Sequence, residues 1–246
     1  MSALVIEAVS KYFGGVHALS DVSFTVEPNQ RRLIIGPNGA GKTTLFNMLA
    51  GAFPVSSGRI TLFGRDITQL PAYERARMGL ARTFQITNLF PRLTVLENIL
   101  LALQAADRSA FSLHTSMRSK THLFEGALAL LNQWDLTAIA QQPASAISYG
   151  EKRQIDLILA MAVRPKILLL DEPTAGLSAA EVVRVVGMIR SLPTDMTILM
   201  IEHDMDVAFE LADRIAVLHQ GRLIADGDVE TVRNDPQVSE IYLGAE

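Results

Sequence analysis

The 246-residue chain contains no cysteine, which excludes disulfide bonds, thiolate metal sites and a cysteine nucleophile. It has no run of lysines or arginines and a formal net charge of −4, and both argue against a nucleic-acid partner. No uninterrupted apolar stretch approaches the roughly 18 residues of a membrane-spanning helix. The N-terminus lacks a basic region, and Glu7 comes too early for a signal peptide. We therefore expect a folded chain that does not cross a membrane by itself.

The order of strand-like and helix-like patterns predicts an α/β fold. Alternating apolar residues near the N-terminus, such as Leu4 and Ile6, predict half-buried strands of an antiparallel β subdomain. Ile167–Leu170 is a continuous apolar run, typical of a strand that is covered on both faces of a parallel sheet. The region from about Leu93 to Val163 has a helical pattern. Near its start, Thr94 and Glu97 have the spacing of a capping box.

These patterns predict one domain over residues 1–246. Its α/β core, with a mostly parallel sheet, comprises about residues 1–85 and 164–246. An inserted α-helical subdomain comprises about residues 86–163.

A glycine-rich run follows the predicted strand Arg31–Ile35 and precedes a helical pattern. The run consists of Gly36, Pro37, Asn38, Gly39, Ala40, Gly41, Lys42, Thr43 and Thr44. It fits the pattern G-x-x-x-x-G-K-[ST], in which backbone N–H groups and the helix N-terminus surround phosphate oxygens. In this pattern the lysine contacts the β- and γ-phosphates, and the first threonine binds Mg²⁺ through its hydroxyl. On its own, the run predicts a loop that surrounds a phosphate chain, with Mg²⁺ near it.

Two carboxylates, Asp171 and Glu172, end the buried strand Ile167–Leu170. Ligands of α/β sheets bind beyond the carboxyl ends of the strands. We predict that Asp171 holds Mg²⁺ through water. Glu172 can polarise the attacking water as a general base.

Further segments resemble the motifs of ABC ATPases, which are P-loop NTPases. Ser148 to Lys152 resembles the signature motif, and Asp171 to Ser178 resembles the acidic strand end with the following D-loop. Ile201 to Asp204 resembles the switch-histidine segment, and Phe84-Gln85 falls at the Q-loop. Phe13 stands where the family places an aromatic ring against adenine, with Tyr12 as the alternative. These motifs occur in the order of the family over nearly the whole chain.

The resemblance implies a role for each of these residues. Ser148, Gly150 and Glu151 would bind the γ-phosphate of ATP that is held by a second ABC ATPase subunit, in a homodimer or a heterodimer. His203 would contact the γ-phosphate in the catalytic site, and Gln85 would bind Mg²⁺ and couple the site to a membrane partner. The sequence departs from the family pattern at Tyr149, which replaces a glycine, at Glu151, which replaces a glutamine, and at Ser178, which replaces an aspartate.

Three further stretches resemble the ATP-binding subunits of branched-chain amino acid importers: Ala76–Gln85, Leu89–Asn98 and Ile241–Gly244. This resemblance implies a peripheral protein on the cytoplasmic face of the inner or plasma membrane. Its partners would be a second ATPase, two integral-membrane permease subunits and, indirectly, a periplasmic solute-binding protein. Related systems import urea, short amides or aromatic acids, and the sequence leaves these solutes open.

Two other classes of protein are weighed against this interpretation. A GTPase or kinase with the same phosphate loop lacks support, because the chain has no Asn-Lys-x-Asp run and a signature-like segment would be unexplained. ABC proteins of DNA repair carry a long coiled coil, and those of translation carry two sets of motifs. Neither feature occurs in this sequence.

Overall fold

The computed structural model describes residues 1–83, 89–107 and 121–243. Its α-helices and β-strands follow one another along the chain. They are β1 Leu4–Phe13, β2 Val16–Val26, β3 Arg31–Ile35, α1 Lys42–Ala50, β4 Ser57–Leu62, β5 Arg65–Asp66, α2 Ala72–Arg77, β6 Leu80–Arg82, α3 Val95–Ala106, α4 Thr121–Gln133, α5 Tyr149–Ala162, β7 Ile167–Asp171, α6 Ala179–Arg190, β8 Thr197–Ile201, α7 Met205–Leu211, β9 Arg214–His219, β10 Arg222–Asp228, α8 Val229–Arg233 and α9 Pro236–Leu243. A 3-10 helix, Thr137–Ile139, lies between α4 and α5.

The strands form two sheets. A four-stranded antiparallel sheet has the order β2-β1-β4-β5, and a six-stranded sheet has the order β10-β9-β3-β8-β7-β6. Every pair of the larger sheet is parallel except β10 with β9. Helices α3, α4 and α5 lie in sequence between β6 and β7. The predicted fold class is confirmed, while the residue bounds of the subdomains stay a prediction.

Alternate residues of the central strands belong to two different cores. Leu168 and Leu170 of β7 pack in the core that contains α3 and α5, whereas Ile167 and Leu169 pack in the core that contains α1 and the antiparallel sheet. All four side chains are fully buried, and each contributes about 1.5–3 kcal/mol relative to an exposed position. Burial on both faces explains why the sequence of this strand is continuously apolar.

The larger sheet brings three strand ends to one edge. Strands β3, β8 and β7 are neighbours and run parallel. Ile201 at the end of β8 is level with Ile34 of β3 and with Asp171 of β7. The segments that follow these strands therefore meet at the carboxyl edge of the sheet. No helix in the described part of the chain is long and apolar enough to span a membrane.

Candidate active site

The glycine-rich loop joins β3 to α1 and has a backbone that only glycine fits at two positions. Gly36 has φ 153°, and a Cβ atom built on it would overlap the carbonyl oxygen of Leu218 in β9. Gly41 has φ 100°, and a Cβ there would lie 2.6 Å from the carbonyl oxygen of Ala18. Any other residue would clash with neighbouring backbone as well as adopt a strained φ. The loop is therefore folded tightly against the sheet.

Helix α1 begins at Lys42 without a side-chain cap on its first N–H groups. Uncapped amides at a helix N-terminus attract anions. Thr43 is exposed in the first turn, and Asn38 and Gly39 are exposed at the tip of the loop. The loop and the helix together offer uncapped amides and exposed polar groups to a phosphate chain.

The ammonium group of Lys42 lies inside this loop. Its Nζ atom donates hydrogen bonds to the carbonyl oxygens of Gly36 at 2.6 Å and Pro37 at 3.0 Å. Burial lowers the pKa of Lys42, and the carboxylates of Glu172 and Asp171 oppose that shift. The loop thus holds a buried cation beside two acidic groups.

Asp171 ends β7 and is fully buried. Its Oδ2 atom accepts a hydrogen bond from Nη2 of Arg82 at 2.7 Å. The other terminal nitrogen of Arg82, Nη1, donates to Oδ1 of Asn47 in α1 at 2.6 Å. The Oδ1 atom of Asp171 has no hydrogen-bond partner among the described residues. The sequence did not predict these roles of Arg82 and Asn47, because the contacting residues are far apart in the chain. Arg82 and Asp171 are 89 positions apart, and Arg82 and Asn47 are 35 positions apart.

Glu172 follows in a left-handed backbone conformation, with φ 47°. This conformation costs a non-glycine residue about 1–3 kcal/mol and is typical of functional sites. It is held by a hydrogen bond of 3.0 Å from the Glu172 amide to the carbonyl oxygen of Ile201. The Oε1 atom of Glu172 lies 2.5 Å from Nε2 of His203. The two predicted catalytic side chains are therefore in direct contact.

Glu202 fixes the backbone before His203, and our sequence reading gave it no role. It is buried, and its Oε1 atom accepts hydrogen bonds from the amide of Thr174 at 3.0 Å and from its hydroxyl at 2.6 Å. Its Oε2 atom accepts from the amide of His203 at 3.0 Å. Glu202 thus ties the segment after Glu172 to the segment that carries His203.

The signature-like segment forms the start of α5. The hydroxyl of Ser148 accepts a hydrogen bond from the amide of Glu151 at 3.2 Å, and the carboxylate of Glu151 accepts one from the amide of Ser148 at 2.7 Å. Gly150 is buried against Glu181, and a Cβ on it would overlap that carboxylate. Within the described ranges, no hydrogen bond or ion pair joins Ser148, Gly150 or Glu151 to the glycine-rich loop. Their predicted role in a second subunit's site is consistent with this separation and stays a prediction.

The other two departures from the family pattern, Tyr149 and Ser178, also have local partners. The hydroxyl of Tyr149 accepts from Nε of Arg153 at 3.1 Å and donates to the carbonyl oxygen of Ala175 at 3.4 Å. The amide and hydroxyl of Ser178 both donate to the Glu181 carboxylate, at 2.9 and 2.6 Å. Tyr149 therefore links the signature-like segment to the D-loop, and Ser178 holds the first turn of α6.

The two aromatic residues that are candidates for stacking on adenine lie at the end of β1. Phe13 ends β1 and is 45% exposed, with its ring edge-on to Phe53 at 5.7 Å between centroids. Tyr12 instead contacts His17, at 4.5 Å between ring centroids. Gln85 lies outside the described residues.

Magnesium fits the donors at this edge of the sheet. The ion prefers oxygen ligands and combines one or two carboxylates with substrate phosphates. Asp171 offers a buried carboxylate oxygen without another partner in the described ranges, and Thr43 offers an exposed hydroxyl. Within those ranges, no group of three or more histidine, aspartate or glutamate side chains could hold a metal ion by itself. The donor set therefore suits an ion that is shared with bound phosphate.

Comparison with known proteins addresses the identity of the chain. Residues 19–175 match the family described as ABC transporter, and residues 222–246 match one described as branched-chain amino acid ATP-binding cassette transporter. The chain is 38% identical over 248 residues to the high-affinity branched-chain amino acid transport ATP-binding protein BraF of Pseudomonas aeruginosa, covering 98% of this chain and 97% of that protein. It is 39% identical over 248 residues to the high-affinity branched-chain amino acid transport ATP-binding protein LivG of Salmonella typhimurium, again covering 98% of this chain and 97% of that protein.

A solved structure agrees with these matches. The crystal structure of the ADP conformation of an ATP-binding cassette of an ABC transporter superposes with a TM-score of 0.84, at 30% sequence identity and 99% coverage of both chains. The resemblance inferred from the motifs is thereby confirmed. This chain belongs to the ABC transporter family and is an ATP-hydrolysing ATP-binding cassette.

Proposed function

We propose that this chain is the subunit that hydrolyses ATP to drive an importer of branched-chain amino acids. The observation that carries the hydrolytic part of the proposal is the meeting of three strand ends at one edge of the sheet. There β3 leads into the loop that holds Lys42, β7 ends at Asp171 and Glu172, and β8 leads to His203. Phosphate binding, metal binding and water activation are thus available within one site.

Substrate binding begins at the glycine-rich loop, where residues 36–44 surround the phosphate chain. The ammonium of Lys42 would exchange the carbonyl oxygens of Gly36 and Pro37 for oxygens of the β- and γ-phosphates. Phe13, exposed at the end of β1, would stack on the adenine. A Mg²⁺ ion held by Thr43, Asp171 and Gln85 would neutralise charge that develops on the phosphate oxygens.

Hydrolysis requires a base beside the attacking water. The carboxylate of Glu172 would accept the proton as the water oxygen bonds to the γ-phosphorus and the bond to the ADP oxygen breaks. His203, which contacts Glu172 at 2.5 Å, would orient that carboxylate and contact the γ-phosphate. The left-handed backbone of Glu172 and the contacts of Glu202 hold both side chains at the site before the nucleotide arrives.

A second cassette would complete the site. Ser148, Gly150 and Glu151 lie at the N-terminus of α5, where backbone amides favour an anion. We propose that these residues bind the γ-phosphate held by the partner ATPase, so that ATP joins two subunits head to tail.

The names of the relatives support the proposed wider assembly. BraF and LivG are named as branched-chain amino acid transport ATP-binding proteins, and the C-terminal residues match a family of the same description. We propose two permease subunits as membrane partners and a periplasmic solute-binding protein as an indirect one. The chain would lie peripherally on the cytoplasmic face of the membrane. These transport relatives support a motor of this kind over a soluble ABC protein of DNA repair or translation.

Replacing Glu172 with glutamine tests the hydrolytic role. Because a general base contributes about 10²–10⁴-fold to a rate, we expect Glu172→Gln to lower ATP turnover by at least about 100-fold. The Kd for ATP should stay within about threefold, because binding uses the loop and Mg²⁺. The control is Glu210→Gln, which changes an exposed carboxylate that pairs with Arg190. Turnover at the wild-type rate in Glu172→Gln would refute Glu172 as the base.

A further inference from the structure

Arg82 joins two parts of the site that come from distant segments of the chain. It ends β6, and its side chain is 9% exposed while that of Asp171 is fully buried. One terminal nitrogen of its guanidinium contacts Asp171 at 2.7 Å and the other contacts Asn47 of α1 at 2.6 Å. The same helix carries Lys42 and Thr43 in its first turn. A single side chain therefore spans the strand that ends at Asp171 and the helix of the phosphate loop.

The charge balance at Asp171 depends on this contact. A buried carboxylate requires a hydrogen-bonded counter-charge. The ammonium of Lys42 donates to the carbonyl oxygens of Gly36 and Pro37. Arg82 is the cation that forms an ion pair with Asp171 in the part of the chain that the structure describes.

The geometry requires an arginine. The planar guanidinium presents donors in a fixed fork, so it can hold two acceptors at a set angle. A lysine would supply the charge but only a single point donor on a flexible stem. Asn47 thus braces the guanidinium, and the guanidinium in turn sets the plane of the Asp171 carboxylate.

This arrangement leaves one carboxylate oxygen for a ligand. Arg82 takes Oδ2, while Oδ1 is buried without a hydrogen-bond partner among the residues described. We infer that Arg82, braced by Asn47, is a positioning residue that presents Oδ1 of Asp171 to Mg²⁺ and fixes it relative to Thr43 on α1. The inference rests on the proposed role of Asp171 in holding Mg²⁺.

The test measures Mg²⁺ affinity separately from catalysis. The purified chain is mixed with a fluorescent ATP analogue at a concentration below its Kd in the absence of Mg²⁺, and fluorescence anisotropy is followed as MgCl₂ is added. Partners of metal ligands typically change metal affinity by about 10–100-fold. We expect Arg82→Lys to raise the half-saturating Mg²⁺ concentration within that range and Asn47→Ala to raise it toward the lower end. The affinity for the analogue in EDTA should stay at the wild-type value.

Arg75→Lys is the matched control. Arg75 is also a buried arginine that braces α1, through the carbonyl oxygens of Met48 and Leu49 at the far end of that helix. Its replacement should lower Tm without changing the half-saturating Mg²⁺ concentration. If Arg82 had only a structural role, Arg82→Lys would behave in the same way.

The outcomes separate the inference from the proposed function. An unchanged half-saturating concentration in both Arg82→Lys and Asn47→Ala, with a large increase in Asp171→Asn, would overturn the inference alone. An unchanged value in Asp171→Asn would refute the magnesium role of Asp171 itself. If Arg82→Lys does not fold, Asn47→Ala decides the question, because it keeps the ion pair and removes only its brace.

Discussion

A buried carboxyl group in the signature helix makes the stability of this cassette depend on pH. Asp156 lies in the middle of α5 and is 9% exposed. Its Oδ2 atom has no hydrogen-bond partner within the described residues. Burial raises the pKa of Asp156 to about 7, and the guanidinium of Arg153 opposes that shift. Leu157, Leu170 and Val185 line the same small cavity.

The direction in which stability changes with pH follows from the number of protons that the folded and unfolded chains bind. The ordinary pKa of 3.8 rises to about 7 in the folded state, so between these values the folded chain holds a proton that the unfolded chain has released. Stability therefore falls as pH rises through this window, and the full loss is present above about pH 7. A pKa that rises from 3.8 to about 7 corresponds to about 4 kcal/mol of stability. Below about pH 4 both states are protonated and the effect disappears.

Asp156→Asn keeps the neutral form at every pH and should remove this dependence. An unpaired amide in the cavity costs about 1–3 kcal/mol at all pH values, so the change with pH is the diagnostic quantity. Between about pH 4.5 and pH 8, the variant should gain about 3 kcal/mol relative to wild type. For a chain of this size that is a relative rise in Tm of roughly 6–12 °C.

Thermal unfolding followed by the fluorescence of Trp134, the one tryptophan, measures this gain. Asp195→Asn, which removes an exposed carboxylate, is the control and should not reproduce the profile. The quantity to follow is the Tm of Asp156→Asn minus that of wild type. If this difference changes by less than about 2 °C between about pH 4.5 and pH 8, the reasoning is contradicted.

Two further predictions concern nucleotide binding and the signature helix. Phe13→Ala should raise the Kd for ATP about tenfold, because stacking of a base on an aromatic ring contributes about 1–3 kcal/mol. Tyr12→Ala should leave the Kd unchanged. If equilibrium binding gives the reverse result, Tyr12 and not Phe13 is the residue that stacks on adenine. Gly150→Ala should lower Tm by about 2–10 °C, because the new methyl group overlaps the Glu181 carboxylate. Gly150→Ala should lower Tm much less in a Glu181→Ala background than in the wild-type background, and an equal loss in both backgrounds would show that the overlap is not its cause.

Features that depend on short spacing could be predicted from the sequence. Thr94 and Glu97 form the capping box that their spacing indicates. The glycine-rich loop lies between a strand and a helix, as its pattern requires. The apolar run of β7 ends at Asp171, and both faces of the strand are buried. Each of these features is set by neighbours within a few residues, so the sequence carries the signal locally.

Contacts between distant segments could not be predicted in this way. Arg82 reaches Asp171, and Glu172 reaches His203, only because the sheet order places β6 beside β7 and β7 beside β8. No periodicity or motif spacing encodes that order. The position of Glu181 against Gly150 likewise depends on how α6 lies relative to α5. The family resemblance supplied roles for individual residues, but the second partners of those residues required the structure.

Solute uptake measures the central claim most directly. The chain is reconstituted in proteoliposomes with its partner ATPase, the two permease subunits and the solute-binding protein, and the uptake of labelled leucine is followed with ATP inside. We expect uptake that requires ATP and Mg²⁺ and is abolished by Glu172→Gln in this chain. Uptake of urea, a short amide or an aromatic acid in place of leucine would support the ATPase role of this chain and change the transported solute. Leucine uptake that persists undiminished in Glu172→Gln would contradict the proposal that ATP hydrolysis at this site drives import.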